Sequence, residues 1–478
     1  LCKSAVDVLR AITYLSGGDV SLATNTKFKS LKRAERRQWI EILDEVTDQE
    51  DLHLHKEKFK RLFHMLHVDD YSPKLKQLIQ PFRNNERFRS FASYTEEFLE
   101  GQMWGKLIPH LLQRPGLLAR RISELIDKGC PVVEVLPAFE QVIGRISTRV
   151  LMQMVGWLMF RSIDRTSKII QPKGETATVS FVAGEWKALP STDLESIQRV
   201  IDTELRRRFG ALAPLGKVFI DDKLSHIPIP MGMRSASGGM NELPRGAKVP
   251  KESDKTTIRL YTYWKHTADV DLSAAVVTSD FTLIEGINYG SPKFPYGVHS
   301  GDIRNGANGA YEFIDIDIVK LKNVRPKARY VVFDLRVFAG PKFSEIPNCH
   351  IGWMERDIPN SGEIFDISTV VQKNEMNSES KNIILCAFDL DTNEYIWIDT
   401  TTSTGSFSSI YSASSELVGL LRSMIELEKP KLWYLFQLHA EARGEIVFTK
   451  DEADISFGVT DSSVNINDVD IINGEYMV

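Results

Sequence analysis

With 478 residues, 42% of them hydrophobic, the chain is long enough for about two to four domains with filled cores. Its longest nearly apolar run, VLMQMVGWLMF from Val150 to Phe160, is roughly half the ~20 residues a membrane helix needs, so no transmembrane span is expected; four scattered cysteines (Cys2, Cys130, Cys349, Cys386) with no CxxC pair exclude a zinc ribbon and point to reduced thiols in a cytoplasmic protein. The net charge of -5 is unevenly placed, since residues 1–210 carry 33 basic against 27 acidic side chains and the remainder is strongly acidic.

From residue 1 to about 165 the apolar residues recur at helical spacing. The opening LCKSAVDVLRAITYL is periodic and interrupted by Asp7, which is not a signal-peptide pattern. ERRQWIEILDEV and EEFLEGQMWGKLIPHLL are amphipathic, the second expected to lose its regular hydrogen bonding near Pro109. RPGLLARRISELIDKG predicts a fresh helix that starts at Pro115, carries Leu117, Leu118, Ile122, Leu125 and Ile126 on one face, and stops at Gly129. Residues 1–165 therefore read as a helical bundle or irregular helical repeats without a fixed period.

Two stretches in this region are basic, Lys27 to Arg37 and Lys56 to His67. Cations interleaved with aromatics can follow a nucleic-acid backbone and stack on bases, which makes nucleic-acid binding the alternative function. A solvated helix face balanced by Glu35, Glu41, Asp44 and Glu57 gives the same pattern and is preferred. His53, His55, His64 and His67 lie close in sequence, and the last two have a helical spacing that could share a zinc ion, but no cysteine is nearby and ordinary histidines are favoured.

Residues 166–250 read as a mixed connector. TSKIIQPKGETATVSFV predicts a hairpin around a Pro-Lys-Gly turn, a helix follows with Ser191 or Thr192 as its N-cap, and the Gly/Ser/Pro-rich RSASGGMNELPRGAKVP marks a domain boundary. Residues 251–410 hold eight short β-prone runs, from TIRLYTYWK to EYIWIDTT, bounded by polar turns, which predicts an antiparallel β-sandwich. Residues 411–478 return to helix, and the acidic, Asn-rich segment from Val459 is expected to be a tail or an interface segment. The fold class is α+β.

Chemistry concentrates in the β region. Asp269 and Asp271 alternate along ADVDLSA and share one side of a strand, with Val270 and Leu272 opposite. The stretch VHSGDIRNGANGAYEFIDIDI adds a Gly-rich loop in which Asp302, Asn308 and Glu312 supply hard oxygen donors, the kind calcium collects about six to eight at a time. Within EFIDIDI, the isoleucines 314, 316 and 318 are expected to pack inward, and Asp315 and Asp317 to form the wet face of the strand.

The order YTYWKHTADVDLSAAVV, INYG, VHSGDIRNGANGAYEFIDIDI, ARYVVFDLRVFAG resembles the TerD family of bacterial tellurium-resistance and stress-response proteins over about residues 256–403, roughly a third of the chain. That resemblance implies a β-sandwich and a calcium site. Asp269 and Asp271 match the family's acidic strand pair, His299, Gly301 and Asp302 its H-x-G-D element, and Glu312 the last acid of its loop. Where the family loop has adjacent aspartates, this chain has Gly309, Ala310 and Tyr311, so the resemblance implies a weak or vestigial Ca2+ site.

No P-loop is present, and Cys349 and His350 are strand neighbours facing opposite ways, so no catalytic residues are assigned and an enzyme is not expected. The expected role is a calcium-responsive scaffold in a bacterial stress-response or defence assembly, with protein partners or a second copy of itself.

Overall fold

The computed structural model describes residues 2–170, 178–231, 237–238, 243–251, 253–357, 365–402 and 415–478. The chain is a mixed α+β protein that divides into two compact units, one formed by Leu1–Arg114 with Glu124–Ala138, the other by Pro115–Ser123 with Phe139–Val478. The division falls ahead of residue 165, so the helix Thr148–Phe160 belongs to the second unit.

The first unit is helical. Its opening helix, Ala5–Leu15, is fixed by a capping box in which Ser4 and Asp7 satisfy each other's backbone N–H groups. In Lys56–Leu66 the residues Phe59, Leu62, Phe63 and Leu66 form one fully buried stripe against Leu9, Ile12, Leu43, Leu75 and Ile79. EEFLEGQMWGKLIPHLL does break, but not at Pro109. Phe91–Glu100 ends at Gly101, Gln102 turns back with φ 50°, and Trp104–Leu112 continues straight through Pro109. Gly101 sets the boundary because it closes the first helix while the left-handed residue after it redirects the chain.

The second unit contains the sandwich. One sheet runs in the order Arg165–Ile170, Thr178–Trp186, Glu394–Thr402, Asn382–Asp389, Tyr330–Ala339, Asp269–Val277, Leu283–Ile287, with Lys248–Pro250 also paired to Glu394–Thr402. The other centres on His350–Arg356, Thr257–Trp264, Ala310–Asp317 and Gly297–His299, flanked by Val370–Met376. The sheets meet through Trp353, whose ring lies 4.7 Å from Tyr395 and 5.9 Å from Trp397. The hairpin expected in TSKIIQPKGETATVSFV forms, Arg165–Ile170 pairing with Thr178–Trp186, and extends the first sheet, while its Pro-Lys-Gly turn lies outside the described residues, as do residues 234–236 and 239–242 of RSASGGMNELPRGAKVP.

Helix Ser415–Ile425 covers the outer face of the first sheet, packing Leu420, Leu421, Met424 and Ile425 on Ala275, Val332, Ile384 and Ile396. That sheet is buried on both faces there, which accounts for the continuous apolar run NIILCAF.

Two expectations are corrected. The strand Ala310–Asp317 has no wet face: Asp315 is fully buried in a two-bond pair with Arg259, at 2.6 and 2.7 Å, and the guanidinium lies 3.8 Å from the centre of the Phe313 ring. The second face of this strand is covered by Phe365 and Val370, so an alternation that resembles solvent exposure is instead a charged layer beneath an apolar one. Asp317 ends the strand and caps the helix Ile318–Val324 by accepting from the Lys320 N–H at 3.0 Å.

The C-terminal segment is not a tail. Ile455–Gly458 and Val464–Asn465 join Gly216–Ile220 and Gly444–Ile446 in a four-stranded parallel sheet, and Ile472, Tyr476 and Met477 are buried. The "connector" helix Ser191–Gly210 and the C-terminal helix Leu432–Arg443 pack together beside this sheet, with Phe209 stacked on His439 at 3.6 Å. Segments more than 200 residues apart in the chain thus share one small α/β layer.

Candidate metal centre

The strand Asp269–Val277 is pinned at its start by the indole of Trp264, which donates to the Ala268 carbonyl at 2.9 Å. The same ring abuts Gly306, where a Cβ would come within 2.3 Å of the indole nitrogen, so a side chain at 306 would push the 300–309 loop off the sandwich. Trp264 therefore sets both sides of the site, the strand that carries Asp269 and Asp271 and the loop that carries Asp302.

Leu283–Ile287 pairs with Asp269–Val277 only as far as Ala274. The outer edge at Leu272 is left open, and a buried peptide group there must find other partners. Glu312 Oε2 accepts from the Leu272 N–H at 3.0 Å, and His299 Nε2 lies 2.9 Å from the Leu272 carbonyl. Glu312 Oε1 accepts from the Ile303 N–H, also at 3.0 Å. One buried carboxyl from the opposite sheet thus fastens the strand and the loop together.

His299 is neutral. Its Nδ1 accepts from the Gly301 N–H at 3.0 Å, which leaves Nε2 to carry the proton donated to Leu272, and burial lowers its pKa. Both ring nitrogens are occupied, so His299 is a structural element of the loop and offers no metal-binding lone pair.

Asp269, Asp271 and Asp302 converge above this frame. One oxygen of each lies within 4.8 Å of the others, and among the described residues no other group of three or more His, Cys, Asp or Glu side chains is so arranged. Two oxygens at about 2.4 Å from a common calcium ion can be no more than ~4.8 Å apart, so the spacing fits a hard divalent cation. Asp269 Oδ1 is buried with no hydrogen-bond partner. Burial and then its neighbours Asp269 and Asp302 push Asp271 up to about 6, and burial with Asp302 raises Asp269. Burial above all pushes Glu312 up to about 8, against the two backbone N–H groups that favour its charged form. Among the described residues the cation bonded to the trio is Arg304, at 3.0 Å from exposed Asp302.

Of the five residues expected to bind metal, the fold brings together Asp269, Asp271 and Asp302. Glu312 sits beneath them with both oxygens engaged by backbone, and Asn308 is exposed in the turn closed by Gly309 N–H to the Gly306 carbonyl. Sequence reasoning did not single out Trp264 or the bonds of His299; the close Gly306 was the available signal.

The other constellations stay apart. His67 leaves helix Lys56–Leu66 in a left-handed conformation, φ 58°, so helical spacing no longer relates it to His64, while His53 packs against Phe88 and Phe82. In the first unit Lys27, Lys29, Lys32, Arg33 and Arg37 are exposed, whereas Lys60 binds Glu57 at 2.9 Å and Arg61 binds Asn25 at 2.6 Å. All four cysteines are free, and burial pushes the thiols of Cys130 and Cys349 up to about 11 and about 12. No described helix is long and apolar enough to cross a membrane.

No family model, curated protein or solved structure matches the chain.

Proposed function

We propose that this chain is a TerD-like, calcium-responsive scaffold that serves a bacterial stress-response or defence assembly without catalysing a reaction. The observation that carries the reading is the convergence of three carboxylates within 4.8 Å on a frame locked by Glu312. Asp269, Asp271 and Asp302 would hold the ion, with waters completing the shell because the trio falls short of calcium's usual donor number. A bound dication supplies the positive charge that offsets their mutual repulsion.

The residues do the rest. Without a counter-charge, Asp302 is drawn outward to Arg304 on the exposed side. With its charge offset, Asp302 is held toward Asp269 and Asp271, and the 300–309 loop, already tied at Ile303 and Gly301, presents one ordered surface to a partner. The order of VHSGD and DVDL motifs supports the TerD reading, and the hard-oxygen donors support calcium over softer metals.

The test is native mass spectrometry with a parallel thermal melt, in EDTA and in millimolar CaCl2. One calcium per chain and a raised melting temperature are expected, both absent in the Asp269→Asn, Asp271→Asn double variant. Identical mass and melting temperature in EDTA and calcium would refute the reading.

A further inference from the structure

A second concavity lies in the second unit. A cleft of about 680 Å³ opens between the strand Arg165–Ile170, the segment following helix Ser415–Ile425, and the sheet residues Tyr330, Asp389 and Glu394. Its volume is in the range of small-molecule sites, roughly 300–1,000 Å³.

The charges that line it are unequally engaged. Each carboxylate already faces a basic group of the protein: Glu426 faces Arg165 at 3.3 Å, Asp389 faces Arg329 at 2.7 Å, Glu428 faces Lys248 at 2.8 Å, Asp164 faces Lys187 at 3.2 Å and Glu394 faces His226 at 3.0 Å. Both terminal nitrogens of Arg329 are taken by carboxylates, Asp389 and Asp391, which leaves it only its Nε, whereas Arg165 and Arg422 keep more donors in reserve. The Nε groups of Arg165 and Arg329 are buried without an acceptor. Arg422 has no carboxylate partner among the described residues, its bond going to the Asp280 carbonyl at 2.9 Å. Buried donors without acceptors are costly, and arginine forks match planar oxyanions.

The arginines are also held in place. Phe281 and Tyr330 stack at 5.2 Å, with Arg422 5.4 Å from the Phe281 ring centre and Arg329 5.4 Å from that of Tyr330. This aromatic pair fixes two cations beside one cleft before any ligand arrives. Ser167 and Ser423, hydroxyl oxygens 2.5 Å apart, bond to each other and leave one O–H as a neutral donor on the same wall.

We propose that this cleft binds a small molecule through a phosphate or carboxylate group, the oxyanion being received by Arg422 together with Arg165, beside an Arg329 already held by Asp389 and Asp391. The site is independent of the aspartate trio and does not depend on its metal.

Isothermal titration calorimetry of the full chain in EDTA, at matched ionic strength, tests it with inorganic pyrophosphate and with tricarballylate as probes. Binding of at least one probe is expected, and the preferred probe tells phosphate from carboxylate chemistry. Arg422→Gln should weaken that binding about tenfold or more, as loss of a charge-assisted bond does, and Ser423→Glu should abolish it by placing a carboxylate in the cleft. Arg61→Gln, in the other unit, should bind as the parent does. If Arg422→Gln melts lower than the parent in chloride, the Ser423→Glu result decides. Absence of binding of both probes at 10 mM, or parental affinity in Ser423→Glu, would overturn the proposal.

Discussion

Replacing Asp315 by Asn is the sharpest test of how the Ala310–Asp317 strand is built. Asp315 accepts two bonds from Arg259 at 2.6 and 2.7 Å, and both side chains are 0% exposed. Asparagine keeps the volume but removes the negative charge and half of the fork, leaving in the interior, beside the face of Phe313, a cation that has lost its carboxylate. Breaking one side of a buried pair costs about 3–5 kcal/mol, and the contact with the Phe313 ring, present in the parent and the variant alike, leaves that difference unchanged. For a unit of about 350 residues, with an unfolding entropy of about 2.1 cal/mol/K per residue, that corresponds to a melting temperature lower by roughly 4–7 °C. Thermal melts followed by circular dichroism measure the shift directly. The double replacement Arg259→Met with Asp315→Leu removes both charges and should recover most of the loss, within about 1–2 kcal/mol of the parent. A single Asp315→Asn variant that melts within a degree of the parent would mean that this face is solvated and the argument from burial is wrong.

Two further outcomes follow from the site and the fold. In EDTA, Glu312 and Asp271 hold protons in the folded state up to about pH 8 and about pH 6, whereas their unfolded values are 4.5 and 3.8. The folded state therefore binds more protons between those limits, so their contribution to stability is complete at low pH and is lost as pH rises through 6 and then 8; at about 1.4 kcal/mol per unit, Glu312 alone accounts for on the order of 4 kcal/mol between pH 5 and 8. Urea midpoints at pH 5, 6.5 and 8 should fall in that order and flatten in Glu312→Gln; an unchanged slope in the variant would assign the effect elsewhere. Truncation after Gly458 removes Val464, Ile466, Ile472, Tyr476 and Met477, each no more than 8% exposed. At ~2 kcal/mol per buried side chain the loss rivals the whole stability of a typical domain, so the truncated chain should be cleaved rapidly in limited proteolysis of the second unit; parental resistance would show that the segment is dispensable.

Much of the fold was legible because its signals are local. Each of the eight runs read as strands between TIRLYTYWK and EYIWIDTT holds a strand, because β-branched and aromatic residues between polar turns leave few other choices, although the fourth, EFIDIDIVKL, leaves the sheet at Asp317 and continues as the helix Ile318–Val324, which takes Ile318 out of the strand. Pro115 and Gly129 bracketed a helix as their backbone preferences require. The misreadings have a common origin. EFIDIDI has the same alternation whether Asp315 faces water or Arg259, and Arg259 lies 56 positions away. GKVFI looked like part of a connector because its partners, Gly444–Ile446 and Ile455–Gly458, come more than 200 residues later.

At the candidate metal centre the division is the same. The sequence by itself determined the donor types, the shared side of Asp269 and Asp271, and the glycines that let a loop approach closely, since these depend on side-chain chemistry and the two-residue period of a strand. Only the tertiary structure decided which acids meet. Asp302 joins the trio because Trp264 and Glu312 hold its loop against the open edge at Leu272, and Glu312 is withdrawn from the ligand set because the backbone N–H groups of Leu272, 40 positions away in the chain, and of Ile303 in its own loop claim both of its oxygens.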